Sequence, residues 1–274
     1  MKNRTKMILT LLGLVGVLRG DCLLAQGQSR PASAAKPFAI SPETEAKYQA
    51  IVAALPPEEQ AWERVLQANL GSYDLPRHEQ NRVKGIADYW AYVKDNPKLP
   101  RVLLIGDSIS IGYTLPVRKA LAGRANVHRA PQNCGRTAVG LLKLNVWLDD
   151  GKWDVIHFNF GIHDEHTPLA DYEKQLEEFV ARLQKTRAKL IWASTTPIQR
   201  NEAKKHFPES IVERNTIAAR MMQRHGVAVD DLFTFISPYQ ATLQRPNDAH
   251  FTAEGCEMLG QQVARSILAS LPRN

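Results

Sequence analysis

Cysteine is scarce in this chain: beyond Cys22 only Cys134 and Cys256 occur. That excludes a disulfide framework, although the last two could pair in an oxidising compartment or stand free and buried. Long apolar runs are scarcer still. The single one, Met7 to Leu18, is too short to span a bilayer, so no stable membrane insertion is expected. Charge of one sign is never clustered. The formal net charge is +7, of which the first 25 residues supply +3, leaving a mild +4 with no Lys/Arg stripe of the nucleic-acid-binding kind. Nor is there an internal repeat, or a biased tract outside residues 26–40. With 44% hydrophobic and 7% aromatic residues, the composition is that of a globular protein able to bury a sizeable core.

Lys2, Arg4 and Lys6 precede the apolar run, and Arg19 and Asp21 follow it. This is the pattern of a secretory signal peptide over residues 1–25 and places the mature protein in the periplasm or outside the cell. Lipid attachment at Cys22 is the lesser alternative, because Asp21 stands where a lipobox needs a small residue. Residues 26–40, rich in Gln, Ser, Ala and Pro, read as a linker. Residues 41–98 read as a helical extension: Pro42–Leu55, then Pro57–Asn69 with Trp62, Val65, Leu66 and Leu70 on one face, then Glu79–Val93. Packing of this extension against the remainder is expected, with a separate interaction module as the alternative.

From Arg101 onward β-rich runs alternate with helical patterns. Candidate strands are Val102–Ile105, Val127–Ala130, Val155–Phe160, Leu190–Ser194 and Val227–Asp230, and the clearest helix carries Leu169, Tyr172, Leu176, Phe179, Val180 and Leu183 at the helical period. Such alternation predicts a doubly wound α/β domain over residues 99–274, a five-stranded parallel sheet with helices on both faces. Right-handed crossovers then gather functional loops at the carboxyl ends of the strands.

The first such end is Gly106-Asp107-Ser108. A serine there lies beside the free N–H groups of a helix start, where developing negative charge is stabilised, so Ser108 is a candidate nucleophile. The second glycine of the G-x-S-x-G elbow is missing. A turn with an N-capping serine gives the same local pattern, and the rest of the chain must decide. After the second strand, Asn133 and Gly135 bring a side-chain amide and an approachable backbone N–H. After the third comes Gly161-Ile162-His163-Asp164-Glu165-His166; two histidines three apart in a loop are weak grounds for ligation, and no metal is expected. Before the last helix, His250 follows Asp248 closely, and Thr252 is placed to cap the helix.

These blocks resemble those of the SGNH hydrolases, or GDSL-type esterases. Gly106-Asp107-Ser108-Ile109-Ser110 matches the first block, Gly135 the second, Gly161-Ile162-His163-Asp164 the third and the segment ending in His250 the last. The likeness covers about Leu99 to Leu271 and implies a flavodoxin-like sheet and a serine esterase without cofactor or metal. Two positions depart from the pattern. His163 replaces the usual third-block asparagine; its N–H can also donate to an oxyanion, a role Asn133 can share. The family's carboxylate position, three before the histidine, is Asn247, whereas Asp248 stands two before. Residues two apart in an extended segment face one side, so Asp248 is expected to orient the ring.

The resemblance thus implies Ser108, His250 and Asp248 as catalytic residues, with Gly135, Asn133 and His163 around the oxyanion. The expected substrate is a small-molecule or polysaccharide ester, an acetylated carbohydrate first, through an acyl-serine intermediate. A lysophospholipase or broad acyl-esterase is the alternative enzyme, and a catalytically silent glycan-binding protein the alternative of another class. Nucleic acid is not an expected partner, and the sequence leaves the oligomeric state open.

Overall fold

A computed structural model describes residues 39–86 and 88–271; the expected signal peptide and most of the linker lie outside them. Three helices come first, α1 (Pro42–Ala53), α2 (Pro57–Asn69) and α3 (Gly71–Lys84). Alternation then follows: β1 (Arg101–Ile105), α4 (Ser108–Ala120), β2 (Asn126–Arg129), α5 (Thr137–Leu148), β3 (Val155–Phe158), α6 (Leu169–Gln184), β4 (Lys189–Ala193), α7 (Pro208–His225) and β5 (Ala228–Asp230). The short helices α8 (Leu232–Ile236) and α9 (Gln240–Leu243) lead to α10 (Ala253–Ser270).

All five strands are parallel, in the order β2-β1-β3-β4-β5. This is the flavodoxin-like order, whose direction reverses beside β1. Alternate residues of β1 enter opposite cores, as a strand's period of two requires. Leu103 and Ile105 join the cluster beneath α5, α6 and α7, whereas Val102 and Leu104 join the one beneath α4 and α10. Of the expected α6 stripe, Tyr172, Leu176, Phe179, Val180 and Leu183 are fully buried, whereas Leu169 in the first turn is exposed. Each Leu, Val or Phe so buried contributes about 1.5–3 kcal/mol.

The third helix of the extension differs from its sequence expectation. Instead of spanning Glu79–Val93, it starts at Gly71 and stops at Lys84, where Gly85 takes the left-handed conformation (φ 64°). Its N–H bonds to Arg82 O and that of Ile86 to Asn81 O, closing the helix end. The aromatic residues beyond it are irregular. Trp90 is buried with Leu66 and Leu70, Ile111 of α4 packs against the same cluster, and the Trp62 indole donates to Trp90 O at 2.7 Å. The extension thus docks on the sheet domain through apolar contact.

Candidate active site

β1 delivers the chain to Gly106, and α4 begins at Ser108. The cap of α4 is Asp107, not the serine: its carboxylate accepts from Ile109 N–H at 2.9 Å. That leaves the Ser108 hydroxyl free for other partners. A Cβ at Gly106 would lie 2.8 Å from Ser110 Oγ, so the turn is as tight as its glycine allows.

The histidine comes from a hairpin. Gln244 and Phe251 form an antiparallel bridge, Arg245 N–H donates to His250 O at 2.9 Å, and Asp248 N–H donates to Arg245 O at 3.2 Å. Asn247 occupies the left-handed position of this turn (φ 54°), which asparagine tolerates better than most residues. The hairpin carries His250 to Ser108, where Nε2 lies 2.7 Å from Oγ. On the other ring edge Nδ1 lies 2.7 Å from Asp248 Oδ1, which also accepts the His250 backbone N–H at 3.3 Å. It is therefore Asp248 that meets the ring, while Asn247 gives its carbonyl to Lys204 Nζ. Partial burial pushes the Asp248 carboxyl up, but the His250 side-chain and backbone hydrogen bonds outweigh it and hold the group below its usual range.

The candidate oxyanion residues are not gathered equally. Asn133 lines the cleft beside Ser108 and His250. Gly135, at φ 62°, donates its N–H to Asn133 Oδ1 at 3.2 Å, which takes up the Gly135 donor and leaves the Asn133 Nδ2 donor without a partner among the described residues. The Ser108 N–H makes no hydrogen bond among the described residues and lies beside its own hydroxyl. His163 is exposed and does not line the cleft. It sits in a 3₁₀ turn, Ile162–Asp164, whose other two side chains are buried. Asp164 faces inward as a brace, accepting Thr137 N–H at 2.9 Å and Thr137 Oγ at 2.8 Å. Cys134 and Cys256 are both free, and burial pushes the Cys134 thiol up to about 12.

Some residues that shape the site carry no sequence signal. Arg129, at the end of β2 and only 2% exposed, donates to Ser110 Oγ at 2.6 Å, Gly106 O at 2.9 Å and Asp107 O at 3.4 Å. It makes no ion pair among the described residues, and its guanidinium lies 5.0 Å from the centre of the Trp90 ring. A buried cation therefore buttresses the turn that carries Ser108 and is covered by the extension. Tyr73, Asp74, Arg77 and Tyr89 form one wall of a cleft of about 430 Å³ whose other wall holds Ser108 and His250. Among the described residues no group of three or more His, Cys, Asp or Glu is arranged to hold a metal ion.

The model of the GDSL-like lipase/acylhydrolase family matches residues 104–258. The chain belongs to that family. Every sequence-derived site residue falls inside the matched span, and the extension falls outside it. Solved structures with the same fold include a lipase/acylhydrolase from Enterococcus faecalis, at 24% identity and a TM-score of 0.57, covering 64% of this chain and 98% of that one. Acetyl xylan esterase AlAXEase follows the fold at 16% identity and a TM-score of 0.54, covering 61% of this chain and 99% of its own. Axe2, an acetylxylan esterase from Geobacillus stearothermophilus, does so at 16% identity and a TM-score of 0.53, over 64% of this chain and 95% of that one. No curated protein matches the chain in sequence.

Proposed function

We propose that this GDSL-family protein is a secreted serine esterase that removes acyl groups, acetyl foremost, from carbohydrate. The observation that carries the reading is the chain of contacts from Asp248 through His250 to Ser108, 2.7 Å at each step. A carboxylate on Nδ1 fixes the proton there and leaves Nε2 as the base facing Oγ. His250 takes the Ser108 proton as Oγ bonds to the ester carbonyl carbon. The oxyanion settles against the Ser108 N–H, with Asn133 and Gly135 beside it. The intermediate collapses, the alcohol leaves with the proton from Nε2, and an acyl-serine remains. Water, deprotonated by His250 in turn, releases the acid and restores Ser108.

The leader-like sequence at residues 1–25 supports export. The described residues contain no helix long and apolar enough to cross a membrane. Support for a glycan ester comes from the polar wall of the cleft and from two acetyl xylan esterases among the fold neighbours. The broader acyl-esterase reading draws on the apolar part of the lining, Ile109, Ile111 and Phe251, and on the lipase/acylhydrolase neighbour.

A fluorophosphonate probe should label the purified protein, and Ser108→Ala should abolish labelling. An acetate-release screen over acetylated polysaccharides and lipid esters then separates the substrates. An unlabelled wild type that leaves p-nitrophenyl acetate intact removes the enzyme reading and favours a silent glycan-binding protein. Release from lipid esters alone removes the carbohydrate.

A further inference from the structure

The cleft has two unlike walls. One belongs to the hydrolase fold and sets the apolar Ile109, Ile111 and Phe251 beside the polar Asn133, Arg245 and Asp248. The other comes from α3 and the segment after it, with Tyr73, Asp74, Arg77 and Tyr89. Residues 73, 74 and 77 share a face of α3 by helical spacing. That face is held in place from behind: His78, one position on, is fully buried between Glu63 at 2.7 Å and Asp88 at 2.9 Å. Rotating α3 to withdraw the wall would expose that cluster.

The chemistry of this wall is specific. Tyr73 is 50% exposed, and the Arg77 guanidinium lies 4.1 Å from the centre of its ring, which makes one flat unit of ring and cation. Asp74 is half-buried and makes no hydrogen bond or ion pair among the described residues. Arg245, from the His250 hairpin, borders the same space without a carboxylate partner among those residues. An acyl chain has no use for a spare carboxylate acceptor and two spare guanidinium donors. A pyranose does: its C–H face packs on an aromatic ring, and its rim offers hydroxyls that both donate and accept.

Resting on the esterase reading above, we infer that the helical extension supplies the alcohol-side subsite. Tyr73 and Tyr89 pack the sugar ring that carries the ester, Asp74 accepts from one of its hydroxyls, and Arg77 donates to another. Glycan specificity then resides in an element outside the span shared with the family, while Ser108, Asp248 and His250 supply the chemistry.

The test compares wild type with Asp74→Asn, which keeps the side-chain shape, and Tyr73→Ala, at an exposed position. Each is assayed on acetylated xylo-, manno- and galacturono-oligosaccharides and on p-nitrophenyl acetate, with Tm measured as a folding control. For the oligosaccharide that wild type turns over best, each variant should raise KM at least tenfold with kcat within threefold. The ratio of kcat/KM on that glycan to kcat/KM on p-nitrophenyl acetate should fall at least tenfold. A ratio within twofold of wild type in both variants overturns the inference alone and leaves the esterase intact. A wild type that cleaves p-nitrophenyl acetate but none of the glycans overturns the substrate reading and the subsite with it.

Discussion

Two histidines in this molecule each bridge two oxygen-bearing side chains, and their surroundings give them opposite roles. His78 in α3 is fully buried between two carboxylates, Glu63 and Asp88; Tyr48 donates to Glu63, and Arg82 forms an ion pair with it. Burial pushes the His78 ring down, but its hydrogen bonds to Asp88 and Glu63 outweigh it and raise it to about 9. The ring is thus an imidazolium with both N–H groups donated. It has no lone pair to offer and no substrate to reach. His250 faces one carboxylate and one hydroxyl, with 43% of its side chain exposed. Its Nδ1 faces the carboxylate and its Nε2 the hydroxyl, the arrangement the proposed general base needs. A histidine–carboxylate contact alone therefore does not mark a catalytic site; the second partner and access to the cleft do.

The sharpest way to break this comparison is to remove the proposed nucleophile and base. Ser108→Ala and His250→Ala should each lower ester turnover by about 10⁴-fold or more, with Tm within a few degrees of wild type because both side chains are only half-buried. Acetate release and a thermal melt measure the two. A loss of turnover accompanied by a collapse in Tm would place Ser108 and His250 on the structural side with His78.

Next in size is Asp248→Asn, which keeps the shape and removes the charge. In a buried triad this change costs about 10⁴-fold in kcat. Here a third of the Asp248 side chain is exposed, so water shares its work and a loss of about 10²–10⁴-fold is expected. Asn247→Ala should leave kcat within a few-fold, since its side chain does not meet the His250 ring. Equal losses at the two positions would contradict the hairpin geometry.

At the buried histidine the effect moves from rate to stability. His78→Leu leaves Glu63 and Asp88 facing each other in the interior without a cation between them. Breaking a buried charge pair in this way costs about 3–5 kcal/mol. Urea unfolding should register that loss, and activity per folded molecule should fall only as far as the displaced α3 wall affects the cleft. An unchanged unfolding midpoint would mean that the cluster holds nothing together.

The same contrast between local pattern and surroundings explains how far the amino-acid sequence is legible. Strand–helix alternation and the α6 stripe are local patterns, and the sheet follows from them. Ser108, Asp248 and His250 can be paired because a parallel sheet brings the ends of its strands together whatever lies between them. The end of α3 is written in Gly85, with Arg82 and Lys84 in the turn before it, but the aromatic run 89–92 imitates a helical face. Arg129 stands in a strand-like run, where a charge calls for a partner. Its partners are the backbone carbonyls of Gly106 and Asp107 and the Ser110 hydroxyl, and sequence gives no sign of these. Tyr73, Asp74 and Arg77 share a face of α3, yet the sequence expectation leaves them between its second and third helices. That the face meets Ser108 depends on docking through Leu66, Leu70, Trp90 and Ile111, a long-range event with no local signature. His163 shows the reverse case: the motif position is plain, but the turn that carries it directs the side chain to solvent.

The smallest expected effect is one of pH, and its sign separates the two sites. The His78 ring is raised from an ordinary value near 6.5 to about 9 in the folded protein. Its stabilising contribution is therefore complete below about pH 6.5 and is lost as pH rises through 9, because the unfolded chain gives up that proton first. Asp248 runs the other way. Its folded value is depressed, so its contribution is present above the ordinary carboxylate range and fades as acid protonates it. Tm should accordingly decline between pH 6.5 and 9 in wild type, and more gently in Asp88→Asn, where the ring has lost one of the two carboxylates that hold its proton. Ser108→Ala should follow the wild-type curve, since it leaves the His78 cluster intact. A wild-type Tm flat over that range would mean that His78 is neutral when folded, and the two histidines would then differ in access alone.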